Sequence, residues 1–327
     1  MKIKGCVNIK CIICGNEKNN RILKIKEMMF GFHDVFDYLE CDKCGCLQII
    51  NIPPDLGKYY PAHDYYSIQK TQRNSTIKDF FIKELNKYTI LNNSIIGKLI
   101  YYNYPNRFNK SIGSTGINRE SKLLDVGCGI GNLLFSLKDI GFQHLYGIEP
   151  FLDTEIIKDS LKIFNRTIEE FKCEYKFDLV IWRSSFEHTK NQLENLKKTS
   201  ELMEKNGSAI ISMPIKTDYI WHKYCENWVQ IDAPRHLLIH TIKSFEILTK
   251  NTDLRIKKII FDSFDFQFWG SEQYLRNIPL MSEKSYLINP KNSIFTKKDI
   301  NQYKNLSKTL NKKAMGDKAI FILKHTN

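Results

Sequence analysis

The sequence predicts an α/β protein with a doubly wound, mainly parallel sheet, preceded by a small cysteine-bearing region. Three observations support this fold class. A buried apolar stretch runs into a glycine-rich turn and an amphipathic segment at residues 123–137. Strand-like and helix-like segments then alternate as far as residue 324, which is typical of a parallel sheet covered by helices. Two Cys-x-x-Cys pairs come before them in the chain.

The two Cys-x-x-Cys pairs predict a structural zinc site. A glycine follows each pair and lets backbone amides turn toward the sulfurs. Four thiolates can surround one Zn²⁺ tetrahedrally, and the metal would supply stability that so short a region cannot obtain from its own core. The predicted ligands are Cys11, Cys14, Cys41 and Cys44, with a hairpin in the spacer between the pairs. Reduced core cysteines or a redox pair are the alternatives, and Cys6 or Cys46 could substitute as a ligand.

Composition shifts divide the chain into three expected parts. These are a zinc-binding, ribbon-like head over residues 1–50, a connector and helical segment over 51–120, and the main domain over 121–327. The connector is rich in proline and tyrosine as far as residue 75, and apolar spacing then favours one or two helices up to residue 104. Residues 270–316 form an expected insertion before the last strand.

The main domain is predicted to contain seven strands. They cover residues 123–126, 144–148, 162–164, 177–182, 208–213, 255–262 and 318–324. Leu193, Leu196 and Met203 mark a helix between the fourth and fifth strands. Thr241 is placed to cap a further helix before the sixth strand.

The glycine-rich turn after the first strand predicts a ligand site. Glycines at 127, 129 and 131 allow a sharp turn and a close approach of backbone to a ligand. A dinucleotide-binding fingerprint would need its third glycine at 132, where the chain has asparagine. That spacing argues against NAD, and a generic strand–turn–helix is the alternative to any ligand site. The run Leu-Leu-Asp-Val-Gly-Cys-Gly-Ile-Gly at 123–131 resembles motif I of the class I S-adenosylmethionine (SAM)-dependent methyltransferases.

This resemblance implies a SAM pocket at the carboxyl ends of the strands, where doubly wound sheets bind their ligands. It also implies that the last strand pairs antiparallel. Asp125 would reach the amino group of SAM, and Glu149, at the end of the second strand, would accept both ribose hydroxyls. Thr167 and Ile168, beside Arg166, would lie near adenine, and Arg183 and Ser184 near the methionine part. The predicted cofactor-binding residues are Asp125, Gly127, Gly129, Gly131, Glu149, Thr167, Ile168, Arg183 and Ser184.

Two histidines are the candidate catalytic residues. His188 follows Glu187 after the fourth strand, and His236 ends the run Asp-Ala-Pro-Arg-His at 232–236. An imidazole titrates near neutrality and can take a hydroxyl proton. Arg235 offers a fork for a carboxylate or phosphate, although an Asp232–Arg235 pair that fixes the loop is the alternative. Methyl transfer itself needs mainly positioning. The aromatic residues at 221, 224 and 228 have helical spacing and indicate packing or substrate binding.

Composition limits the possible partners and location. The formal net charge is +13, but lysines are spread along the chain without an arginine-rich stripe interleaved with aromatics. This pattern favours a small anionic or nucleotide-linked acceptor over nucleic acid. Neither an apolar run long enough for a transmembrane helix nor a secretory signal is present in the sequence. We therefore expect a cytoplasmic protein, and the sequence does not predict its oligomeric state.

The head resembles the zinc-bearing head of bacterial sugar methyltransferases. The resemblance lies in the cysteine pairs, the Phe-Asp-Tyr-Leu-Glu run at 36–40 and the tyrosines at 59–60 and 65–66. It implies methyl transfer to a sugar or sugar-nucleotide in surface glycan or secondary metabolite biosynthesis. Within these 327 residues we expect no counterpart of the extra C-terminal α/β domain of sugar C-methyltransferases. An RNA- or protein-directed methyltransferase and a non-enzymatic, zinc-stabilised module that retains SAM are the alternatives.

Overall fold

The computed structural model describes residues 9–61 and 76–326. Cys6 and the tyrosines at 65 and 66 lie outside the described residues. The N-terminal part contains three strands, β1 (Arg21–Lys26), β2 (Val35–Glu40) and β3 (Leu47–Ile49). β1 and β2 form the antiparallel hairpin predicted in the cysteine spacer. Three helices follow, α1 (Thr76–Leu91), α2 (Ile95–Asn103) and α3 (Arg107–Gly113).

A large mixed sheet occupies the rest of the chain. Its elements, with the helices between them, are β4 (Lys122–Val126), α4 (Asn132–Asp139), β5 (His144–Ile148), β6 (Ile156–Lys158), β7 (Leu161–Phe164), β8 (Phe177–Arg183), α5 (Gln192–Leu202), β9 (Met203–Pro214), α6 (Asp218–Tyr224), β10 (Leu238–Ile239), α7 (Ile242–Thr249), β11 (Leu254–Phe261), α8 (Phe266–Leu275), α9 (Lys297–Lys312) and β12 (Lys318–His325). β10 belongs to the N-terminal sheet, and the other strands form the large one.

The large sheet has the strand order β11-β12-β9-β8-β4-β5-β7-β6. β7, β5, β4, β8 and β9 pair parallel with one another, and β12 is antiparallel to both β9 and β11. This is the doubly wound arrangement with an antiparallel last strand that the sequence predicts, so the fold class is confirmed. Two short strands were not predicted, the antiparallel edge strand β6 and the two-residue β10. The predicted fifth strand also begins earlier, at Met203.

The central strands are buried on both faces, as parallel sheets covered by helices require. Leu124 and Val126 of β4 pack into one hydrophobic cluster and Leu123 into another. Leu133, Leu134 and Leu137 of α4 cover Leu123, which explains their helical spacing in the sequence. The core thereby fixes the carboxyl end of β4, from which the glycine-rich turn starts.

The N-terminal sheet is completed by a strand of the main domain. β10 pairs antiparallel with β3, so that Leu238 lies opposite Gln48 and Ile239 opposite Leu47. A third apolar cluster joins this sheet to α8 and α9, and Trp228 and Phe268 lie at its centre. Strand β10 follows directly after the run at 232–236, so this sheet adjoins the candidate site. Within the described residues, no helix is long and apolar enough to cross a membrane.

Candidate functional site

Strand register brings the predicted site residues to one edge of the large sheet. Val126 at the end of β4 lies opposite Ile148 at the end of β5 and opposite Trp182 near the end of β8. The residues that follow these strands therefore emerge side by side. Gly127 and Glu149 directly follow β4 and β5, and Arg183 is the last residue of β8.

The glycine-rich turn has the backbone geometry that only glycine adopts without strain. Gly127, Gly129 and Gly131 have φ angles of +71°, +55° and +83°. A Cβ on Gly127 would lie 2.5 Å from Cβ of Ser185. Ser185 itself donates a hydrogen bond from Oγ to the carbonyl oxygen of Val126, at 2.6 Å. The loops after β4 and β8 are thus pressed together, and Ser185 is a site residue that the sequence analysis missed.

Glu149 follows β5, the strand beside β4, and its carboxylate accepts a hydrogen bond from the glycine-rich turn. Its Oε2 accepts a hydrogen bond from the backbone N–H of Gly129 at 2.9 Å, and its Oε1 accepts one from Phe151 at 3.2 Å. Burial raises the pKa of this carboxyl, against the lowering effect of the two N–H donors. The predicted acidic residue therefore faces the glycine-rich turn.

Asp125 is buried beneath the turn and lacks a full set of partners. It is 3% exposed, and its Oδ1 has no hydrogen-bond partner among the described residues. Burial raises the pKa of Asp125 to about 7; Arg183 opposes this shift and Glu149 adds to it. A buried acceptor without a donor costs about 1–3 kcal/mol, so the site favours a ligand with a donor or a cation here.

These groups fit SAM. The ammonium group of its amino acid end would satisfy Asp125, and its ribose hydroxyls would find an acceptor in Glu149. The glycines of the turn carry no Cβ that would keep a ligand away from the backbone. Asp125, Gly127, Gly129, Gly131 and Glu149 could therefore hold the cofactor together.

The two residues predicted to lie near adenine have different surroundings. Thr167 is partly exposed, and its N–H and hydroxyl both donate to Oε2 of Glu170, at 3.0 and 3.1 Å. Ile168 is 3% exposed and packs in the same core cluster as Val126 and Ile148. Its side chain therefore supports the loop from below, whereas Thr167 lies at the surface of the loop.

Arg183 and Ser184 are exposed at the end of β8. The Arg183 guanidinium lies 4.9 Å from the ring centroid of Phe108, which is a cation–π distance. Ser184 has a φ of +53° and accepts a hydrogen bond from Nζ of Lys318, at 3.3 Å. Lys318 begins β12 and adds a cation to this edge that the sequence analysis did not predict.

The two candidate catalytic histidines lie together. The ring centroids of His188 and His236 are 4.7 Å apart. Nδ1 of His188 is 3.0 Å from the carbonyl oxygen of Arg235 and 3.1 Å from the Tyr60 hydroxyl, and Nδ1 of His236 is 2.8 Å from the carbonyl oxygen of Gln230. A carbonyl oxygen only accepts, so Nδ1 of each ring carries the proton. In the neutral form, Nε2 of each ring keeps its lone pair.

Two carboxyl groups lie near Nε2 of His236. Nε2 lies 3.8 Å from Oδ2 of Asp232 and 4.0 Å from Oε1 of Glu187. Glu187 is 1% exposed, its Oε2 has no hydrogen-bond partner among the described residues, and burial raises its pKa. Burial, aided by repulsion from His236, lowers the pKa of His188 to about 3. His188 is thus held neutral, while Nε2 of His236 lies near two carboxyl groups.

Arg235 is not available to an acceptor, which corrects the expectation that it offers a fork to a bound anion. It is 0% exposed and pairs through Nη2 with Asp232 at 2.5 Å and with Glu27 at 3.2 Å. Nη1 donates to the carbonyl oxygen of Tyr59 at 3.1 Å. The alternative of an Asp232–Arg235 pair that fixes the loop is what the structure contains.

The aromatic residues that follow β9 are packing residues. Trp221, Tyr224 and Trp228 are 8%, 2% and 0% exposed and lie in one apolar cluster. Trp228 lies beyond the end of α6 and donates a hydrogen bond from Nε1 to Asp317, at 3.0 Å. Their helical spacing therefore reflects the core.

The four predicted cysteines converge. Their sulfur atoms all lie within 4.8 Å of one another, with Sγ–Sγ distances of 3.4 Å between Cys14 and Cys41 and 3.7 Å between Cys11 and Cys44. A tetrahedral site with zinc–sulfur bonds of about 2.3 Å needs sulfur atoms roughly 3.8 Å apart, so the donor set fits Zn²⁺. Cys46 lies 3.6 and 3.5 Å from the sulfurs of Cys11 and Cys44, as a buried fifth thiol beside the site.

Comparison with known proteins finds similarity in the central part of the chain. Residues 104–259 match the family model described as a methyltransferase domain. A ubiquinone biosynthesis O-methyltransferase from Rickettsia typhi is 29% identical over 152 residues, which cover 42% of this chain and 61% of the relative. The chain thus spans less than two thirds of that relative's length.

Solved structures with similar folds are more distant. An O-methyltransferase from a trans-AT polyketide synthase multienzyme of Brevibacillus brevis, in complex with S-adenosylhomocysteine, has a TM-score of 0.40 and 14% identity, covering 79% of this chain and 82% of its own. A candidate sarcosine dimethylglycine methyltransferase from Galdieria sulphuraria has a TM-score of 0.45 and 15% identity, covering 71% and 89%.

Proposed function

We propose that the chain is a class I SAM-dependent methyltransferase, as its match to a methyltransferase family model supports, and that it methylates a hydroxyl group of a small-molecule acceptor. The observation that carries the proposal is that two groups of site residues lie at the carboxyl edge of the large sheet. A glycine-rich turn with the buried carboxylates Asp125 and Glu149 forms one group, and the His188–His236 pair forms the other. The R. typhi relative is named as an O-methyltransferase, which supports oxygen as the accepting atom.

The proposed acceptor class is a sugar or sugar-nucleotide. The resemblance of the cysteine-bearing head to that of bacterial sugar methyltransferases supports it, and so does the net charge of +13. The exposed Arg183 and the neighbouring Lys318 offer cations to an anionic group of such an acceptor. Surface glycan or secondary metabolite biosynthesis is the corresponding proposed context.

In this proposal His236 is the general base. SAM, when bound, would supply an electrophilic methyl group and would leave as S-adenosylhomocysteine. The acceptor hydroxyl would give its proton to Nε2 of His236, and the ring stays oriented because Nδ1 donates to the carbonyl oxygen of Gln230. Asp232 and Glu187 stabilise the imidazolium that forms. His188, with its lowered pKa, stays neutral and keeps a second cation away from the reacting centre.

The four converging cysteines are proposed to hold a structural zinc ion. Their sulfur spacing matches a tetrahedral site. A site with four protein ligands leaves no position for substrate, and the proposed role is therefore stability.

The test of the function is transfer of a labelled methyl group from SAM to a panel of acceptors. The panel contains nucleotide-linked sugars, phenols and RNA, and products are detected by mass spectrometry. Methylation of a sugar oxygen supports the proposal. Methylation of phenols alone would refute the sugar class, and methylation of RNA alone would replace the proposal with the macromolecular alternative. His236→Ala should reduce turnover by about 10²–10⁴-fold, while His222→Ala, an exposed histidine on α6, should not change it.

SAM binding without transfer to any acceptor in the panel, at all pH values tested, would favour the non-enzymatic alternative.

A further inference from the structure

The N-terminal sheet reaches the proposed base through the backbone. The Tyr38 hydroxyl on β2 donates a hydrogen bond of 2.8 Å to the carbonyl oxygen of His236. Tyr38 is 0% exposed, so water cannot replace this donor. A residue of the cysteine-bearing sheet thus contacts the catalytic candidate directly, although the two lie 198 positions apart in the chain.

A second connection runs through Arg235, the residue before the base. In the turn between β1 and β2, the Glu27 carboxylate accepts backbone hydrogen bonds from Met29, Phe30 and Phe32, each at 2.9 Å. The same carboxylate pairs with Arg235, and both side chains are 0% exposed. The Arg235 guanidinium also lies 5.3 Å from the Phe30 ring centroid. The turn is therefore built around an ion pair with the loop that carries His236.

The chain after His236 is held by the same sheet. Ile49 of β3 donates its N–H to the carbonyl oxygen of Leu237 at 2.9 Å, and β10 then pairs with β3. The Thr241 hydroxyl donates to the carbonyl oxygen of Cys44 at 2.7 Å, within the second cysteine pair. Residues 235 to 241 are therefore attached to the N-terminal sheet on both sides of His236.

We propose that Tyr38 and Glu27, in the N-terminal part of the chain, are positioning residues that hold the loop so that Nε2 of His236 faces the acceptor. The inference rests on the proposed role of His236 as base. Proton transfer needs heavy atoms about 2.6–3.2 Å apart, and a displacement of 1 Å can reduce the rate by about 10²-fold. A sheet connected to the backbone on both sides of His236 supplies this accuracy, which a surface loop alone would lack.

The direct test is Tyr38→Phe, which removes one hydroxyl and keeps the packed ring. We expect kcat to fall by about 5- to 10-fold, the loss corresponding to one hydrogen bond, with the Kd for SAM unchanged. The matched control is Tyr59→Phe, because that hydroxyl, in the same part of the chain, donates instead to Asp34, at 2.7 Å. The control should keep the activity of the unmodified protein. Equal activity of the two variants would overturn the inference.

The readout that separates positioning from simple destabilisation is the state of the His236 ring. Nitrogen-15 NMR of labelled histidine, assigned with His236→Ala, should show the proton on Nδ1 in the unmodified protein and a mixture of tautomers in Tyr38→Phe. The acid limb of the pH profile of kcat should shift in the same variant. A fall in kcat with an unchanged ring signal and an unchanged pH profile would assign Tyr38 a structural role only and would contradict the inference.

Glu27→Gln provides an independent variant for the second connection. It keeps the shape of the side chain and removes the charge that pairs with Arg235, so we expect a larger fall in kcat, about 10- to 100-fold. Asp37→Asn is its control, since Asp37 forms an exposed pair with Lys24 on the same hairpin. If His236→Ala keeps full activity, the proposed base is wrong. If Tyr38→Phe and Glu27→Gln keep full activity while His236→Ala loses it, the base assignment stands and only the positioning inference is wrong.

Discussion

Replacement of Glu149 by glutamine tests the cofactor half of the site. Glu149 accepts hydrogen bonds from Gly129 and Phe151 through different oxygens, and it lies where the ribose hydroxyls of SAM would be bound. Glutamine keeps the shape but removes the charge, and its amide nitrogen can only donate where one carboxylate oxygen accepted. Hydrogen bonds to a charged group contribute about 1.5–3 kcal/mol, so the Kd for SAM should rise by about 10- to 150-fold.

The assay is isothermal titration calorimetry with SAM and with S-adenosylhomocysteine. The control is Glu155→Gln, because Glu155 lies a few residues further along at the surface and pairs with Arg166 at 3.3 Å. Circular dichroism establishes that both variants fold. If folded Glu149→Gln binds SAM within twofold of the unmodified protein, Glu149 has no part in ribose recognition and the pocket assignment fails at this residue.

Further predictions concern pH, the glycine-rich turn and the cysteine cluster. Burial raises the pKa of Asp125 to about 7, so its charged form is lost as the pH falls through 7. The SAM affinity measured by calorimetry should therefore weaken between pH 8 and 6. A constant affinity over this range would exclude Asp125 from the site. Gly127→Ala should lower the free energy of unfolding by about 1–3 kcal/mol more than Gly116→Ala does. Both glycines have a positive φ, but of the two only Gly127 has an atom within 4 Å of the added Cβ. Equal losses of unfolding free energy in urea titrations would contradict the predicted clash. Metal analysis should find one zinc per chain, and Cys41→Ser should lower both the zinc content and the melting temperature; full metal content in that variant would remove Cys41 from the ligand set.

The buried His240 gives a stability prediction with a defined sign. Burial lowers its pKa to about 3, and its ring nitrogens contact Ser244 and Gln192. In the unfolded state His240 binds a proton with a pKa near 6.5, whereas in the folded state the ring stays neutral down to about pH 3. His240 therefore contributes stability above pH 6.5 that is lost as the pH falls toward 3. The unfolding free energies of the unmodified protein and His240→Asn should therefore converge by about 1.4 kcal/mol per pH unit between pH 6 and 4. A constant difference would show that His240 is protonated in the fold.

The sequence predicted the parts of the site that are local in the chain. The glycine-rich turn could be recognised because the buried strand, the left-handed glycines and the helix of Leu133 and Leu134 follow one another within a few residues. Glu149 could be placed because the carboxyl ends of parallel strands share one edge of the sheet. The cysteine ligands were predictable because their chemistry requires a fixed short spacing.

The parts that could not be predicted depend on contacts between distant segments. Nothing near Tyr38 or Glu27 in the chain indicates that they contact the loop at 235–236, since these contacts join positions about 200 residues apart. Strand β10 has only two residues and gives no periodic pattern. The assignment of Arg235 to an acceptor failed for the same reason, because its partner Glu27 becomes visible only in the folded chain.

The central claim is that the carboxyl edge between β4 and β5 binds SAM, and titration of the unmodified, zinc-loaded protein with SAM in a calorimeter at pH 8 tests it most directly. We predict saturable binding of one SAM per chain in the micromolar range, with competition by S-adenosylhomocysteine. If no heat of binding is detected at several temperatures, and the protein retains no SAM in equilibrium dialysis at high micromolar concentration, the claim is contradicted.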